Sequence, residues 1–436
     1  MLKYLFTAHV NILIIGILTL STNTYAQLIT WKDNIPSSLE SFKNDPEALA
    51  NLAQDKIIVF AHTPVKTYVP TLKNNPNPTA TFTTTAVVLP VSAQTIEKTL
   101  SDFDGYVGLY PTLKSAKVLE QSGNITQVKY KVSIPTPVHV LNFNEDIIFQ
   151  HQFGKNTMSS LIIDAPVPYG IGKFEWFSLG ENKTLLTLTQ WSDLNQAKGF
   201  VIRRMMNAVP EAKLGVPSGT GVFIIESLRK RLSTTKAIAL NAGQLPSPSL
   251  NANQIEKVSQ LSQTTKYPVN FVHLPASVPY QHGRETLRFV TTYQYFSKPP
   301  QQLQKWTQAS SYKYLFPRQI KSIATTSIIN KNQNAEFKVS IGLGVINIPF
   351  NFKMNFNYHS EFENDFYANG GDLKYLKGQI KLEPYHQGTL LKMTTAAKID
   401  ESAPFLLRAA RSLPYHDILP TVGGNVVFVQ KMRAKN

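Results

Sequence analysis

Two histidines stand at matching places in this 436-residue chain, and histidine is the side chain best suited to acid–base chemistry near neutral pH. His62 lies in Phe60-Ala61-His62-Thr63-Pro64, and His273 lies in Phe271-Val272-His273-Leu274-Pro275. Each histidine follows an apolar stretch typical of a strand and precedes a proline by two residues. Two interpretations stay open: a paired cavity or catalytic residue, or a ring that caps a strand end by hydrogen bonds to the backbone. The second is favoured.

Other signals for catalysis or metal binding are weaker. The remaining histidines show no metal-ligand spacing and there is no HExxH motif, so no metal site is expected. No G-x-S-x-G elbow or Walker loop is present, and Gly215 to Gly221 is better explained as a loop that interrupts a helix. Nothing distinguishes Asp102, Asp104, Glu145 and Asp146 from surface carboxylates. No catalytic residue is therefore assigned, and no cofactor is expected.

Aromatic and basic residues recur together in two segments predicted to be helical. Phe200 is followed by Arg203 and Arg204, and Phe405 is followed by Arg408. An arginine at a cavity mouth would pair with a carboxylate or phosphate headgroup while the aromatic ring lines an apolar interior. The alternative, a solvated helix face, is favoured.

The chain contains the same series of short motifs twice, at an offset that drifts only from 211 to about 204 residues. After the two histidine segments, the matches are Leu109-Tyr110-Pro111 with Leu315-Phe316-Pro317, Lys131-Val132-Ser133-Ile134 with Lys338-Val339-Ser340-Ile341, and Thr184-Leu185-Leu186 with Thr389-Leu390-Leu391. This period far exceeds that of solenoid repeats, so each copy should be a whole domain. The sequence therefore predicts a tandem duplication.

The boundaries follow from composition and from proline-marked breaks. We assign 1–26 to a signal peptide, 27–78 and 254–284 to N-terminal extensions of the copies, 79–233 and 285–436 to the two domains, and 234–253 to a linker. The linker is rich in Ser, Thr, Asn, Gln and Ala, a composition that buries little apolar surface. Pro210 and Pro217 are expected to interrupt the closing helix of the first copy, and Pro414 and Pro420 that of the second.

Alternating apolar residues predict long strands with one dry face. The clearest run extends from Ile346 to Tyr358 and includes Phe352 and Phe356; Tyr130, Val132 and Ile134 repeat the pattern in the first copy. Each copy then closes with helical segments, which is an α+β order. A long sheet curled around a single helix tends to leave space between them, and that space is the predicted binding site.

Composition restricts the environment and the partners. A positive Lys3, an apolar run from Ile12 to Leu20 and the small-x-small Thr24-Tyr25-Ala26 are typical of a cleaved signal peptide, which predicts a periplasmic protein. There is no cysteine, which excludes disulfides and thiolate chemistry. The net charge of +16 fits an anionic membrane surface or an anionic amphiphile as partner, and the alternative, that the charge only keeps an exported protein in solution, stays open. Export argues against nucleic acid as a partner.

The segment from Leu89-Pro90-Val91-Ser92 to Phe103, followed by Tyr110-Pro111-x-x-Lys114-Ser115, resembles the START-like (SRPBCC) superfamily. That group includes Bet v 1 relatives, polyketide cyclase/dehydrase-type proteins and coenzyme Q-binding proteins. The resemblance covers 79–231 and, more weakly, 285–433. It implies a tandem helix-grip fold, in which a curved antiparallel sheet wraps a C-terminal helix in each copy.

Three functions are carried forward. The favoured one is an exported binding or carrier protein for a lipid, isoprenoid or quinone-like ligand, with contacts from Tyr110, Phe200, Arg203, Phe316, Phe352, Phe356, Phe405, Arg408, His62 and His273. The second is a cyclase-, aromatase- or hydrolase-type enzyme that uses the same cavity and needs buried ionisable groups in it. The third is an envelope interaction module whose cavities are filled by side chains.

Overall fold

The computed structural model describes residues 28–134, 143–198, 203, 206–207, 209–280, 283–342, 347–408, 411 and 414–436. The predicted signal segment lies outside these residues. No helix in the described part of the chain is long and apolar enough to cross a membrane.

The two halves of the chain repeat the same order of elements. The first half contains strands β1 Ile57–Ala61, β2 Val65–Lys66, β3 Thr79–Ala80, β4 Thr83–Leu89, β5 Leu113–Ser122, β6 Ile125–Ile134, β7 Phe143–Gly154, β8 Thr157–Asp164, β9 Gly170–Ser178 and β10 Thr184–Ser192. Its helices are α1 Pro46–Ala53, α2 Ala93–Ser101, α3 Tyr106–Leu109 and α4 Ala212–Leu232, with short 3₁₀ turns at Glu40–Phe42 and Leu194–Gln196.

The second half follows the same plan. Its strands are β11 Ile238–Ala239, β12 Val269–Val272, β13 Ala276–Tyr280, β14 Gly283–Leu287, β15 Val290–Phe296, β16 Ile320–Thr325, β17 Asn332–Gly342, β18 Asn347–Ser360, β19 Glu363–Gly371, β20 Tyr375–Tyr385 and β21 Gly388–Lys398. Its helices are α5 Ala252–Thr265, α6 Pro300–Leu303, α7 Tyr312–Leu315, α8 Phe405–Arg408 and α9 Leu419–Ala434, with 3₁₀ turns at Gln304–Thr307 and Ala309–Ser311.

Within the described ranges, sixteen strands form one antiparallel sheet that runs through both copies, in the order β16-β17-β18-β19-β20-β21-β15-β12-β1-β4-β10-β9-β8-β7-β6-β5. The copies meet where β1 pairs with β12, the two strands that carry the Phe-x-His-x-Pro motifs. Val59 lies opposite Asn270, which is its own counterpart in the repeat. The halves are therefore related by a pseudo-two-fold axis at this pair, as in a symmetric dimer interface.

The central strands are buried on both faces. All five residues of β1 are inaccessible to solvent. Ile57 and Val59 pack into the core beneath the terminal helix of the first copy, whereas Ile58 and Phe60 pack with the helices of the two N-terminal extensions. The extensions thus cover the side of the sheet that the terminal helices leave open.

The predicted alternation in the second copy is confirmed in β18. Ile348, Phe350, Phe352, Met354, Phe356 and Tyr358 are buried, and the residues between them face outward. Side chains of successive residues in a strand point to opposite faces, so a period of two places one apolar row against the terminal helix. Each copy is a curved antiparallel sheet with a C-terminal helix, and the predicted tandem helix-grip fold is confirmed.

The expected helix break at Pro217 and the expected loop from Gly215 to Gly221 are wrong, because α4 continues through all of these residues. Proline removes one backbone hydrogen bond at about 3 kcal/mol, but α4 packs along β4, β10 and β1. The amide of Gln190 also donates to the Pro217 carbonyl at 3.2 Å. In the second copy, proline stands in the first turn of α9, where a missing N–H costs little.

The segment predicted as a linker is packed against the second copy. Ile238 and Ala239 extend a small sheet beside Ala276 and Ser277. Leu240 and Leu245 contact the apolar cluster beneath that sheet. Tertiary contacts with the second copy therefore fix the position of residues 238–245, although their composition is typical of a flexible linker.

Candidate functional site

A concavity of about 930 Å³ lies where the first copy meets the second. One wall is the turn from Leu109 to Thr112 that follows α3, and the opposite wall is the C-terminal half of α4. The segment from Pro414 to Asp417 of the second copy closes the third side. The cleft thus lies at the mouth of the first helix grip and contains residues of both copies.

Cationic side chains predominate in this cleft. Among the described residues that line it are Lys114, Lys230, Arg231 and Lys398, and Asp417 is the one carboxylate among them. Lys398 forms an ion pair with Glu285, at 2.6 Å between Nζ and Oε2. The ammonium group of Lys230 lies 4.3 Å from the ring centroid of Tyr415, a cation–π contact. The cleft is therefore suited to an anionic group.

Three aromatic rings lead from the first core to the cleft. The rings of Tyr110 and Phe223 stack with centroids 6.3 Å apart, and Phe223 meets Tyr415 edge-on at 5.5 Å. The hydroxyls of Tyr415 and Ser227 are hydrogen-bonded at 3.1 Å. Burial raises the pKa of Tyr110 well above its ordinary value, so its phenol is neutral. Tyr415 lines the cleft beside its cationic rim, and Phe223 and Tyr110 connect this ring to the apolar core of the first copy.

The second copy supplies part of the first copy's core. Ile418 and Val422, together with Tyr415, belong to the apolar cluster under the first sheet. The entry to the second copy's terminal helix thus fills space that α4 alone would leave open. This contact joins residues about 190 positions apart and has no counterpart in local sequence patterns.

A buried polar chain on the concave face of the first copy was not anticipated from the sequence. The hydroxyl of Tyr130 lies 2.9 Å from His151 Nε2, and His151 Nδ1 lies 2.8 Å from the Ser160 hydroxyl. Burial lowers the pKa of His151 to about 3, so its ring is neutral at physiological pH. Both ring nitrogens are engaged, and the ring of Phe103 stacks on the imidazole at 5.0 Å.

The two copies differ at this polar chain. At the offset of 207 residues that relates the Lys-Val-Ser-Ile motifs, Tyr130 corresponds to Phe337. Tyr130 pairs with Ile147 and Phe337 pairs with Phe352, so on the following strand His151 corresponds to Phe356. A comparison of the two copies in sequence would therefore have singled out His151, because a histidine in one copy stands where an aromatic residue stands in the other.

The concave face of the second copy is built from stacked aromatic rings. Phe352 stacks on Phe337 at 4.9 Å, and Phe356 packs against Phe366 at 5.8 Å. Phe316 contacts Phe428 of the terminal helix at 6.2 Å. The structure thus places three of the sequence-predicted residues, Phe316, Phe352 and Phe356, in the apolar core of the second copy.

His62 and His273 lie at the central strands, away from the cleft. His62 Nε2 lies 2.6 Å from the Thr84 hydroxyl, which lies 2.7 Å from that of Thr189. The second copy repeats this arrangement with His273, Thr291 and Thr394, at 2.7 and 2.9 Å. Each ring is hydrogen-bonded through Nε2 to the hydroxyl of one threonine on the neighbouring strand, which in turn bonds a second threonine. The strand-end interpretation expects backbone partners for these rings.

Burial sets the protonation of both histidines. It lowers the pKa of His62 to about 4, with a further contribution from Lys173, and that of His273 to about 3, with a further contribution from Lys56. Both are therefore neutral near pH 7.

The helical Phe–Arg segments lie apart from the cleft lining. The side chain of Arg203 is exposed, and Phe405 is 63% exposed. Arg408 pairs with Glu401 at 3.5 Å. Phe200 lies outside the described residues. Of the sequence-predicted residues that the structure describes, Tyr110 contributes to the aromatic path into the cleft.

Within the described ranges, no group of three or more His, Asp or Glu side chains is placed to hold a metal ion. The charged groups of the cleft suit binding of an anion by ion pairing and hydrogen bonds.

Comparisons with known proteins give structural likenesses only. No family model matches the chain, and no curated protein matches it. Among solved structures, the chain is similar to the di-domain ARO/CYC StfQ from the steffimycin biosynthetic pathway, at 9% identity and a TM-score of 0.25 over 81% of this chain and 99% of that one.

Two further structures illustrate the range of likenesses. The di-domain ARO/CYC BexL from the BE-7585A pathway is 8% identical with a TM-score of 0.26, over 81% of this chain and 97% of that one. Human STARD10 is 14% identical with a TM-score of 0.26, over 35% of this chain and 65% of that one. At such values no likeness by itself defines a fold or an activity. The fold assignment rests on the strand order and register described above.

Proposed function

We propose that this protein binds an amphiphilic small molecule, with an apolar body and an acidic headgroup, in the cleft of the first copy. The observation that carries the proposal is the juxtaposition of the Lys114, Lys230 and Arg231 side chains with the aromatic path at Tyr415. Lipids, isoprenoids and quinone-like molecules with an anionic group fit this description.

Size and energetics agree with such a ligand. A cleft of about 930 Å³ is in the upper part of the range for small-molecule sites, about 300–1,000 Å³. Burial of each methylene group contributes about 0.8 kcal/mol. An acyl chain of ten carbons therefore supplies about 8 kcal/mol before the cost of association, which is subtracted from it.

The two copies have different roles in this proposal. The second copy packs its concave face with its own aromatic rings and contributes Tyr415 and Ile418 to the first. It acts as a structural partner that completes the binding domain. In this proposal the first copy is the carrier domain, and the second copy is a domain whose cavity is filled by its own side chains.

Export and membrane contact are parts of the same proposal. The predicted signal segment 1–26 would deliver the protein to the periplasm, where an anionic membrane surface supplies amphiphiles and attracts a chain of net charge +16. Fractionation of cells and N-terminal sequencing test this part. A mature chain that begins at Gln27 in the periplasmic fraction supports it, and an uncleaved cytosolic chain contradicts it.

A titration with two probes of equal length tests the binding site. Calorimetry should show tighter binding of dodecanoate than of dodecanol, because only the former carries a carboxylate. Lys230→Met should weaken dodecanoate binding by about tenfold, equivalent to about 1.4 kcal/mol, and leave dodecanol nearly unaffected. Lys353→Met, which removes an exposed lysine on the outer face of β18, is the control. An equal loss of dodecanoate affinity in Lys230→Met and Lys353→Met would overturn the assignment of the binding site to this cleft.

Catalysis in the first copy is the second candidate, favoured by the Tyr130–His151–Ser160 chain. A general base works best with a pKa near the operating pH, whereas that of His151 is lowered to about 3 by burial. Both ring nitrogens are also bonded within the protein. Tyr130→Phe separates the candidates: a binding protein keeps its dodecanoate affinity, whereas an enzyme that uses this chain loses turnover of its substrate.

A further inference from the structure

Three charged side chains are buried together where the copies meet. Glu226 and Arg229 lie near the end of α4 in the first copy, and Arg288 lies between β14 and β15 in the second. Their exposed fractions are 1%, 3% and 5%. Glu226 Oε2 lies 2.5 Å from Arg229 Nη2, and Glu226 Oε1 accepts a hydrogen bond from Arg288 Nη1 at 3.0 Å.

The charges of this cluster do not balance. Two guanidinium groups, which stay protonated in proteins, face one carboxylate. Asp55 is within electrostatic reach of Arg229, but it directs its carboxylate to Lys56 Nζ. The cluster therefore carries a net positive charge in a site from which water is largely excluded, an arrangement that is unfavourable without a compensating group.

The donors of the two arginines are also incompletely used. Nε and Nη1 of Arg229 and Nε and Nη2 of Arg288 are buried and form no hydrogen bond with any described residue. Buried polar groups in folded proteins almost always have partners. A guanidinium group presents its donors as a planar fork that matches two oxygens of a carboxylate, phosphate or sulfate. The unused donors thus have the chemistry of an oxyanion site.

Two concavities flank the cluster. Ser227 and Thr286, close in sequence to Glu226 and Arg288, line the cleft at the first copy's mouth. Asp55 and His273 line a second concavity of about 430 Å³. The cluster is therefore near solvent on two sides although its own side chains are buried.

We propose that Arg229 and Arg288 bind a small inorganic oxyanion, of the phosphate or sulfate type, that bridges the two copies at their junction. This site is distinct from the amphiphile cleft and does not depend on the function proposed for it. The bound anion balances the second guanidinium charge, accepts from the unused N–H groups and ties α4 of the first copy to the start of β15 in the second.

Thermal unfolding of the full chain in inorganic phosphate or sulfate, at constant ionic strength, tests the proposal. A ligand that binds only the folded state raises the midpoint once its concentration exceeds the Kd, and the rise then continues with the logarithm of the concentration. We expect a rise of about 2–4 °C at about five times the Kd. A midpoint that does not rise with phosphate or sulfate, or that chloride at the same ionic strength raises equally, would overturn the proposal.

Four variants identify the site. Arg288→Met leaves a neutral Glu226–Arg229 pair and should abolish the phosphate response. Arg284→Met removes an exposed arginine of the adjacent strand. This variant should retain the phosphate response. Glu226→Gln removes the competing carboxylate and should tighten phosphate binding by about tenfold. Lys230→Met, which impairs the amphiphile cleft, should leave the phosphate response intact.

The outcomes separate the two proposals even if one variant does not fold. An unchanged phosphate response in Arg288→Met contradicts the proposal that Arg229 and Arg288 bind the anion. If Arg288→Met fails to fold, equal phosphate affinity of Glu226→Gln and the unmodified protein, measured by calorimetry, overturns it. Displacement of phosphate by dodecanoate would assign the anion to the amphiphile headgroup and contradict a separate inorganic site.

Discussion

Gly215 in α4 and Gly423 in α9 are in backbone contact where the two terminal helices cross. A Cβ atom added to Gly215 would lie 2.7 Å from both the Cα and the carbonyl oxygen of Gly423. Real Cβ atoms do not approach backbone atoms so closely, so any side chain at this position forces the helices apart. The absence of a side chain at Gly215 therefore sets the distance between the two copies.

Gly215→Ala should destabilise the protein by about 1–3 kcal/mol through overpacking at this crossing. Chemical denaturation of the purified full chain measures the effect. Gly219→Ala is the matched control: it lies on the same helix with open space around its Cβ position, and it should be neutral or stabilise by up to about 1 kcal/mol. A stable Gly215→Ala variant would contradict the close crossing.

Stability should fall as the pH decreases from about 6.5 towards 5. Burial lowers the pKa of His62 to about 4 and those of His151 and His273 to about 3, whereas the unfolded chain has ordinary values near 6.5. In this window the unfolded state binds protons that the folded state does not, so acid favours unfolding.

Urea unfolding midpoints at pH 7.5, 6.5, 5.5 and 5.0 measure this dependence. His62→Gln should reduce the slope between pH 6.5 and 5.0, because one of the three groups that take up a proton on unfolding is gone. His359→Gln, an exposed histidine paired with Asp365, is the control. A midpoint that does not change between pH 7.5 and 5.0 would exclude buried neutral histidines.

Lys431 and Glu211 form an ion pair between the copies, with 2.7 Å between Nζ and Oε1 and about one fifth or less of each side chain exposed. A double-mutant cycle of Lys431→Met and Glu211→Gln should give a coupling energy of about 1 kcal/mol, above that of most exposed pairs. The exposed Lys129–Asp146 pair within the first copy provides the comparison and should couple more weakly. Equal coupling in both would indicate that Glu211 is solvated.

Phe356 and Phe405, both predicted to contact ligand, differ in burial, and their alanine variants should differ in stability. Phe356 is fully buried in the second core, and Phe356→Ala should cost about 3–5 kcal/mol of stability. Phe405 is 63% exposed, and Phe405→Ala should change stability by less than about 0.5 kcal/mol. Denaturant unfolding checks both values. Dodecanoate affinity of Phe405→Ala then tests whether this residue contacts ligand, because its stability does not confound the measurement.

Much of each half was predictable from local patterns. The period-two run that includes Ile348 and Phe356 required a strand with one dry face, and the repeated Lys-Val-Ser-Ile motif required a second domain of the same kind. Such patterns arise because one face of a helix or strand is buried, and this requires apolar residues at regular intervals close together in the chain. The difference between His151 and Phe356 was also present in the sequence, at corresponding positions of the two copies.

The sequence alone therefore determined the duplication, the α+β class and the orientation of the long strands. Only the tertiary structure decided that Val59 pairs with Asn270 to join two sheets into one, that Tyr415 and Ile418 complete the first core, and that Arg288 meets Glu226. The physical reason is that these contacts join residues roughly 60 to 310 positions apart. Burial of a strand or helix leaves a periodic signal in its own residues, but nothing in that signal specifies which distant partner buries it.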